Sequence, residues 1–200
     1  MRVVATELPD VLLIEPTVHD DARGYFFEAF RADLYEAAGI NGPFVQDNVS
    51  CSRRGVLRGL HFQRPYAQRK LVSVLVGEVF DVAVDVRIGS PTFGRWAGHV
   101  LSADNRRQLY IPEGFAHGFL TLSDKAIFAY KCTAYYRPEA EQVLRWDDAD
   151  VAIEWPVVDV SKPTVSSRDA TALLLRQISN STHSVAADAG THDVVGSAAR

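Results

Sequence analysis

From Val56 to about Tyr136 the chain is written almost entirely in strand-length apolar segments broken by tight turns. Leu71–Val76 (LVSVLV) runs into Gly77, and Glu78–Ile88 (EVFDVAVDVRI) alternates with a period of two. That period places Phe80, Val82, Val84 and Val86 on one face and Asp81, Ala83 and Asp85 on the other. Gly89-Ser90-Pro91 turns the chain. Arg95–Leu101, Gln108–Ile111, Phe115–Leu122 and Ala126–Tyr136 follow, with Ala103-Asp104-Asn105 and Ser123-Asp124 as turns between them. Many short strands joined this way predict a sandwich, jelly roll or barrel. No helix-length pattern interrupts them, which argues against a parallel sheet built from βαβ units.

The flanks are simpler. Residues 1–20 alternate apolar and polar before the turn-like HDDARG. Arg31–Ala38 reads as a short helix closed by Gly39, and a helix near Asp169–Gln177 (DATALLLRQ) closes the domain. Beyond Ser179 the text is small and polar without a period, so residues 1–178 read as one domain and 179–200 as a flexible tail. A chain of 200 residues with 47% hydrophobic and 23% charged residues can bury a core without disulfides. There is no internal repeat, no apolar run near the ~18 residues that span a bilayer, and no signal-peptide pattern at the first residues. Two cysteines, Cys51 and Cys132, are too few for a disulfide framework and lack metal spacing, so a reduced, cytoplasmic setting is expected. The net charge of −4 argues against a nucleic-acid partner, although a local arginine cluster leaves an anionic small ligand open.

Several polar groups interrupt the apolar text. In Arg58-Gly59-Leu60-His61-Phe62-Gln63, regular alternation puts Gly59, His61 and Gln63 on one face and Arg58 on the other. Arg58 and His61 can share a ligand only if the strand starts late or is bulged. Along Ala126–Tyr136, Phe128, Tyr130, Cys132, Ala134 and Tyr136 share a face. Two tyrosines on one inward face serve core packing, or offer a phenol to a reaction centre and a ring to stack on a base. Segments 23–28 (RGYFFE) and 46–50 (QDNVS) carry polar side chains that a loop and a sheet edge would explain without function. Trp146-Asp147-Asp148 and Ser167-Arg168-Asp169 are equally ambiguous alone.

Pro112-Glu113-Gly114-Phe115-Ala116-His117 resembles the second motif of the cupin superfamily, P-x-G-x-x-H. The first motif finds its match in His61-Phe62-Gln63, then Lys70, six residues and Gly77. The usual His, His, Glu, His ligand positions thereby become His61, Gln63, Lys70 and His117. A lysine ammonium has no lone pair for a metal and repels one. A fixed cation at the barrel mouth suits an anion or a developing enolate oxygen instead. The competing reading is a chance turn and a solvated lysine.

With RGYFFE (23–28), QDNVS (46–50), GVLRGLHFQ (55–63), residues 70–96, QLYIPEGFAHGFL (108–120), YKCTAYY (130–136), RWDD (145–148) and SSRD (166–169), the chain resembles the dTDP-4-dehydrorhamnose 3,5-epimerase family over about residues 1–178. The resemblance implies an all-β, cupin-type jelly-roll barrel with short flanking helices, a homodimer, and no metal or organic cofactor. It implies a dTDP-linked 4-keto-6-deoxy sugar as substrate, and no nucleic-acid or membrane partner is expected beside it. By resemblance, His61 is the base, Asp169 its partner, Lys70 the enolate-stabilising cation and Tyr130 the acid. Substrate-binding positions carry to Arg23, Glu28, Gln46, Asn48, Arg58, His117 and Glu141, with Tyr136 as the stacking aromatic. Arg168 stands where the family often has lysine, which keeps a phosphate-binding charge with altered geometry. Inversion at both C3 and C5 is the expected reaction. A mono-epimerase and a non-catalytic nucleotide-sugar-binding cupin are the alternatives; a 3,4-ketoisomerase and a metal-dependent oxygenase fit less well.

Overall fold

The computed structural model of the chain describes residues 1–156 and 162–180. Its strands are β1 (Arg2–Ala5), β2 (Leu12–Glu15), β3 (Val18–Asp21), β4 (Gly24–Phe27), β5 (Gln46–Arg53), β6 (Leu57–Gln63) and β7 (Lys70–Val76). They continue with β8 (Glu78–Asp85), β9 (Trp96–Ser102), β10 (Gln108–Ile111), β11 (Phe115–Thr121), β12 (Lys125–Cys132) and β13 (Glu141–Val143). Three short helices, α1 (Ala32–Ala37), α2 (Ser167–Ala170) and α3 (Leu175–Asn180), flank them. A six-stranded sheet runs β1-β2-β10-β7-β12-β5, a five-stranded sheet β13-β6-β11-β8-β9, and β3–β4 form a separate hairpin. The expected all-β jelly roll is what forms, and its two sheets remain separate ladders among the described residues.

The interior lies between the two sheets. Val72, Val74, Leu109, Ile111 and Phe128 from the six-stranded sheet pack against Val79, Ala83, Phe115 and Phe119 from the five-stranded one. The alternation in β8 sends Val82 and Val84 the other way, where Leu144, Val151, Leu175 and Ile178 cover them. On the outside of the six-stranded sheet, Ile14, Leu71 and Tyr110 are covered by Tyr35 of α1 and by Ile40. Each sheet therefore has apolar residues on both faces, which is why the strand text reads as nearly continuous hydrophobic runs.

Three boundaries differ from the sequence reading. β8 stops at Asp85 rather than Ile88, because the Asp85 carboxylate accepts from the Arg87 backbone N–H (2.9 Å) and the Ser90 and Thr92 hydroxyls (both 2.6 Å), folding the chain into the turn. β12 stops at Cys132, so Tyr136 is not on that strand; its backbone N–H donates to the Gln46 side-chain oxygen (2.8 Å) instead of to a ladder partner. The single helix expected over Asp169–Gln177 is two pieces, α2 and α3. Between them Leu173 donates to the Val143 carbonyl (3.0 Å) and accepts from Arg145 (2.8 Å), an extended pairing that a helix would forbid. α3 includes Ser179 and Asn180. The rest of the expected tail, 181–200, lies outside the described residues.

Candidate active site

The site begins with an irregularity in β6. Against β11, His61 stands opposite His117 and Arg58 opposite Phe119, so three steps on β6 match two on β11. This bulge turns Arg58 to the same side as His61, the condition the sequence set for a shared ligand. Glycine makes it sterically possible. Gly59 has φ +121°, and a Cβ there would lie 2.6 Å from Gly118 Cα and 2.7 Å from the His117 carbonyl oxygen. A Cβ on Gly118 would lie 2.5 Å from the Arg58 carbonyl oxygen.

Two adjoining hollows share His61, Lys70 and Tyr130 in their walls. The outer one, about 300 Å³, is completed by Gln46, Asn48, Gln68, Cys132, Tyr136 and Glu141. The inner one, about 140 Å³, is completed by Ser50, Arg58, His117, Gly118, Phe119 and Phe128. Thus β5, β6, β7, β11, β12 and β13 each contribute a wall, so the cleft is lined from both sheets.

Polar geometry in the cleft is ordered. The His61 ring pairs with the Asp169 carboxylate through Nε2 at 2.7 Å. Asp169 is buried on α2, where its own N–H donates to the Ser166 hydroxyl (3.1 Å) that caps the helix. Burial alone would raise the Asp169 pKa, but hydrogen bonds from His61, Ser166 and the Gly59 N–H hold it below its usual range. An ionised Asp169 accepts the proton on Nε2, which leaves Nδ1 of His61 with a free lone pair. Lys70 is 8% exposed and its Nζ donates only to the His61 carbonyl oxygen, at 3.3 Å, among the described residues. Burial lowers its pKa, while the charges of Cys132, Glu141 and Asp81 oppose that. His117 pairs through Nε2 with both oxygens of buried Asp81, at 2.9 and 3.2 Å, and burial lowers its pKa. The Tyr130 phenol makes no hydrogen bond among the described residues, and burial raises its pKa.

The other expected site residues divide in two. Gln46, Asn48, Tyr136 and Glu141 stand in the outer wall, with the Gln46 amide donating to Asn48 (3.0 Å) and the Tyr136 hydroxyl to Glu141 (3.1 Å). Arg168 pairs with the Glu141 carboxylate and donates to its carbonyl oxygen (3.2 Å). Arg23 and Glu28 are not in the cleft of their own chain. Arg23, its side chain 90% exposed, pairs with Asp21 in the β3–β4 hairpin, and Glu28 faces Arg31 at 3.8 Å. Gln63, at a metal-ligand position of the cupin pattern, instead ties down the 135–137 segment by accepting from Arg137 N–H (2.6 Å) and donating to the Tyr135 and Tyr66 carbonyls. Sequence reasoning missed Gln68, Ser50 and Asp81 as site residues. Alternation could have found two of them: Ser50 is two beyond Asn48 on β5, and Asp81 shares the Ala83 face of β8, whereas Gln68 precedes β7 and has no such signal. Among the described residues no group of three or more His, Cys, Asp or Glu is arranged to hold a metal ion.

Fold and cleft together define a class: a cupin-type jelly roll whose four metal positions hold His61, Gln63, Lys70 and His117, with the Asp169 carboxylate on His61 and the Tyr130 phenol bordering the same cleft. Within that class, the dTDP-4-dehydrorhamnose 3,5-epimerase family matches the chain over residues 5–177, and the chain belongs to that family. A dTDP-4-dehydrorhamnose 3,5-epimerase of Salmonella typhimurium is 55% identical over 179 residues, 88% of this chain and 97% of that protein. A crystal structure of the Legionella pneumophila dTDP-6-deoxy-D-glucose-3,5-epimerase in complex with dTDP-4-keto-L-rhamnose superposes with a TM-score of 0.84 at 53% identity, covering 88% of this chain and 93% of that one. A Mycobacterium tuberculosis epimerase structure matches with a TM-score of 0.87 at 43% identity, covering 91% of this chain and 92% of that one.

Proposed function

We propose that the protein inverts C3 and C5 of dTDP-4-keto-6-deoxy-D-glucose in deoxysugar biosynthesis. The observation that carries this reading is the shared cleft wall: the free Nδ1 side of a His61–Asp169 pair, the Tyr130 phenol and the Lys70 ammonium border the same space. A C–H bond beside a ketone breaks only if its proton has a base to go to and the carbonyl oxygen can carry charge. His61 Nδ1 takes the proton, and the imidazolium that forms is stabilised by Asp169. Lys70 donates to the enolate oxygen. Tyr130, kept protonated by its burial, returns a proton to carbon from the other face and recovers one from solvent, while His61 gives its proton up to solvent. One C–H bond breaks and one forms at each centre, so the net change is inversion. Arg58 and Arg168 offer guanidinium groups to the diphosphate, and Tyr136 its ring to the base.

Arg23 and Glu28 bind substrate in this reading by entering the cleft of a second copy. What supports a homodimer is their absence from the walls of their own cleft together with exposed apolar side chains on the hairpin, Tyr25 and Phe26, and on the six-stranded sheet, Val49 and Leu75. The free cysteines Cys51 and Cys132 support a reduced, cytoplasmic setting.

NMR of the 4-keto sugar nucleotide incubated with the protein in heavy water tests the activity. Deuterium at both C3 and C5 is the expected result. Deuterium at one carbon would make the protein a mono-epimerase and name its centre. Tight binding without exchange would make it a nucleotide-sugar-binding module.

A further inference from the structure

Asp81 has no part in the proton transfers above, yet it is fully buried in β8 directly behind the cleft. Both its oxygens engage one nitrogen of His117, and that ring is the only side chain paired with it among the described residues. Burial disfavours the charged form of His117, so near neutral pH the ring does not cancel the aspartate's charge. A buried, uncancelled carboxylate is costly unless a cation lies near it. Lys70 has the matching problem, a buried ammonium with no ion-pair partner among the described residues. The other carboxylate whose charge reaches it, Glu141, is shared with Arg168.

We propose that Asp81 is a positioning residue of this site: it locks His117 as the Nε2–H tautomer and supplies the buried negative charge that holds Lys70 as an ammonium beside the substrate carbonyl. The proposal rests on the epimerase reading for what Lys70 does, but not for its test. A neutral His117 held through Nε2–H presents Nδ1, which has no partner among the described residues, as a hydrogen-bond acceptor. It therefore accepts from a hydroxyl of the sugar or from Lys70, and leaves the oxyanion to Lys70. The charged and titratable groups facing Lys70 are Arg58 and His61 from β6, Asp81 from β8, His117 from β11, Tyr130 and Cys132 from β12, and Glu141 from β13.

Nitrogen NMR of the full chain labelled in histidine is expected to show His117 neutral at pH 7 with its proton on Nε2; a proton on Nδ1 would overturn the tautomer. The sequence has only four lysines, Lys70, Lys125, Lys131 and Lys162, so the Lys70 Nζ titration can be followed by lysine-specific labelling. In Asp81→Asn that midpoint is expected to fall by about one pH unit, with the alkaline limb of kcat moving alongside. kcat itself is expected to fall ~10–100-fold while dTDP binding stays within about threefold. An unchanged Lys70 midpoint in the folded variant would reduce Asp81 to a packing group. If Asp81→Asn does not fold, Lys70→Met supplies the converse reading: with the ammonium gone, His117 is expected to protonate at a higher pH by nitrogen NMR, and no movement there overturns the charged cluster. A wild-type protein that exchanges no C3 or C5 proton would overturn the epimerase reading and leave these titrations intact.

Discussion

His61 and Asp169 are 108 positions apart and meet at 2.7 Å. Their pairing fixes which ring nitrogen can act, and so Asp169→Asn is the most informative single change. An amide can donate as well as accept, which lets the ring turn its proton toward the substrate. By analogy with other histidine–aspartate pairs, kcat is expected to fall ~10³–10⁴-fold with dTDP affinity nearly unchanged, read from steady-state rates and calorimetry. The same aspartate has a pH consequence. Its folded pKa lies below the unfolded value, so it adds stability above that value and loses it as pH falls through the folded one. Melting curves from pH 5 down to pH 2 are expected to converge for the wild type and the variant. Tyr130→Phe separates the two proton transfers. Without the phenol, His61 still removes a proton and returns one from the same side. The expected outcome is deuterium incorporation with retained configuration and at least ~10²-fold less inverted product by NMR. Loss of exchange together with inversion would show that Tyr130 also serves the first step.

The β6 bulge shows what strand alternation can and cannot convey. Regular pleating would have parted Arg58 from His61, and only the two facing glycines reunite them. Gly59→Ala requires a Cβ inside the contact distance of β11 backbone at a positive φ, which costs roughly 3 kcal/mol. For a domain of this size that corresponds to a melting temperature lower by about 6–12 °C, and dTDP binding should weaken with it because Arg58 is displaced. The turn after β8 has its own test. The Asp85 pKa, raised by burial but lowered more by Arg87, Ser90 and Thr92, falls to about 2. Against the ordinary value of 3.8 this adds about 2 kcal/mol, present above pH ~4 and lost as pH falls toward 2. Asp85→Asn is expected to lower the melting temperature at pH 7 by about 4–8 °C and to flatten its acid limb. Strand positions and the β8 faces were legible because period-two alternation is local. Strand ends were not, because β8 and β12 stop where one side chain, Asp85 or Gln46, takes over a backbone group.

At the scale of the whole molecule, the jelly roll was legible because short strands and tight turns admit few other architectures, whereas the meeting of His61 with Asp169 is invisible to any local pattern and came through resemblance. The same limit applies to Arg23. Its segment belongs to the resemblance, but its side chain stands on an exposed hairpin, paired with Asp21. Two explanations compete: Arg23 is a surface residue, or the cleft is completed by a second copy. A mixing experiment divides them. Arg23→Ala and His61→Asn chains are each expected to form dimers of low activity. Unfolded together and refolded, half the dimers are mixed. In each mixed dimer one cleft has His61 from the first chain and Arg23 from the second, and the other cleft has neither. Activity should then recover to about a quarter of the wild-type value, since half the dimers hold one intact site of two. If Arg23 acts within its own chain, no mixed dimer contains an intact site, and activity stays at the level of the separate variants. A monomer by light scattering at micromolar concentration would remove the second copy altogether and leave Arg23 on the surface.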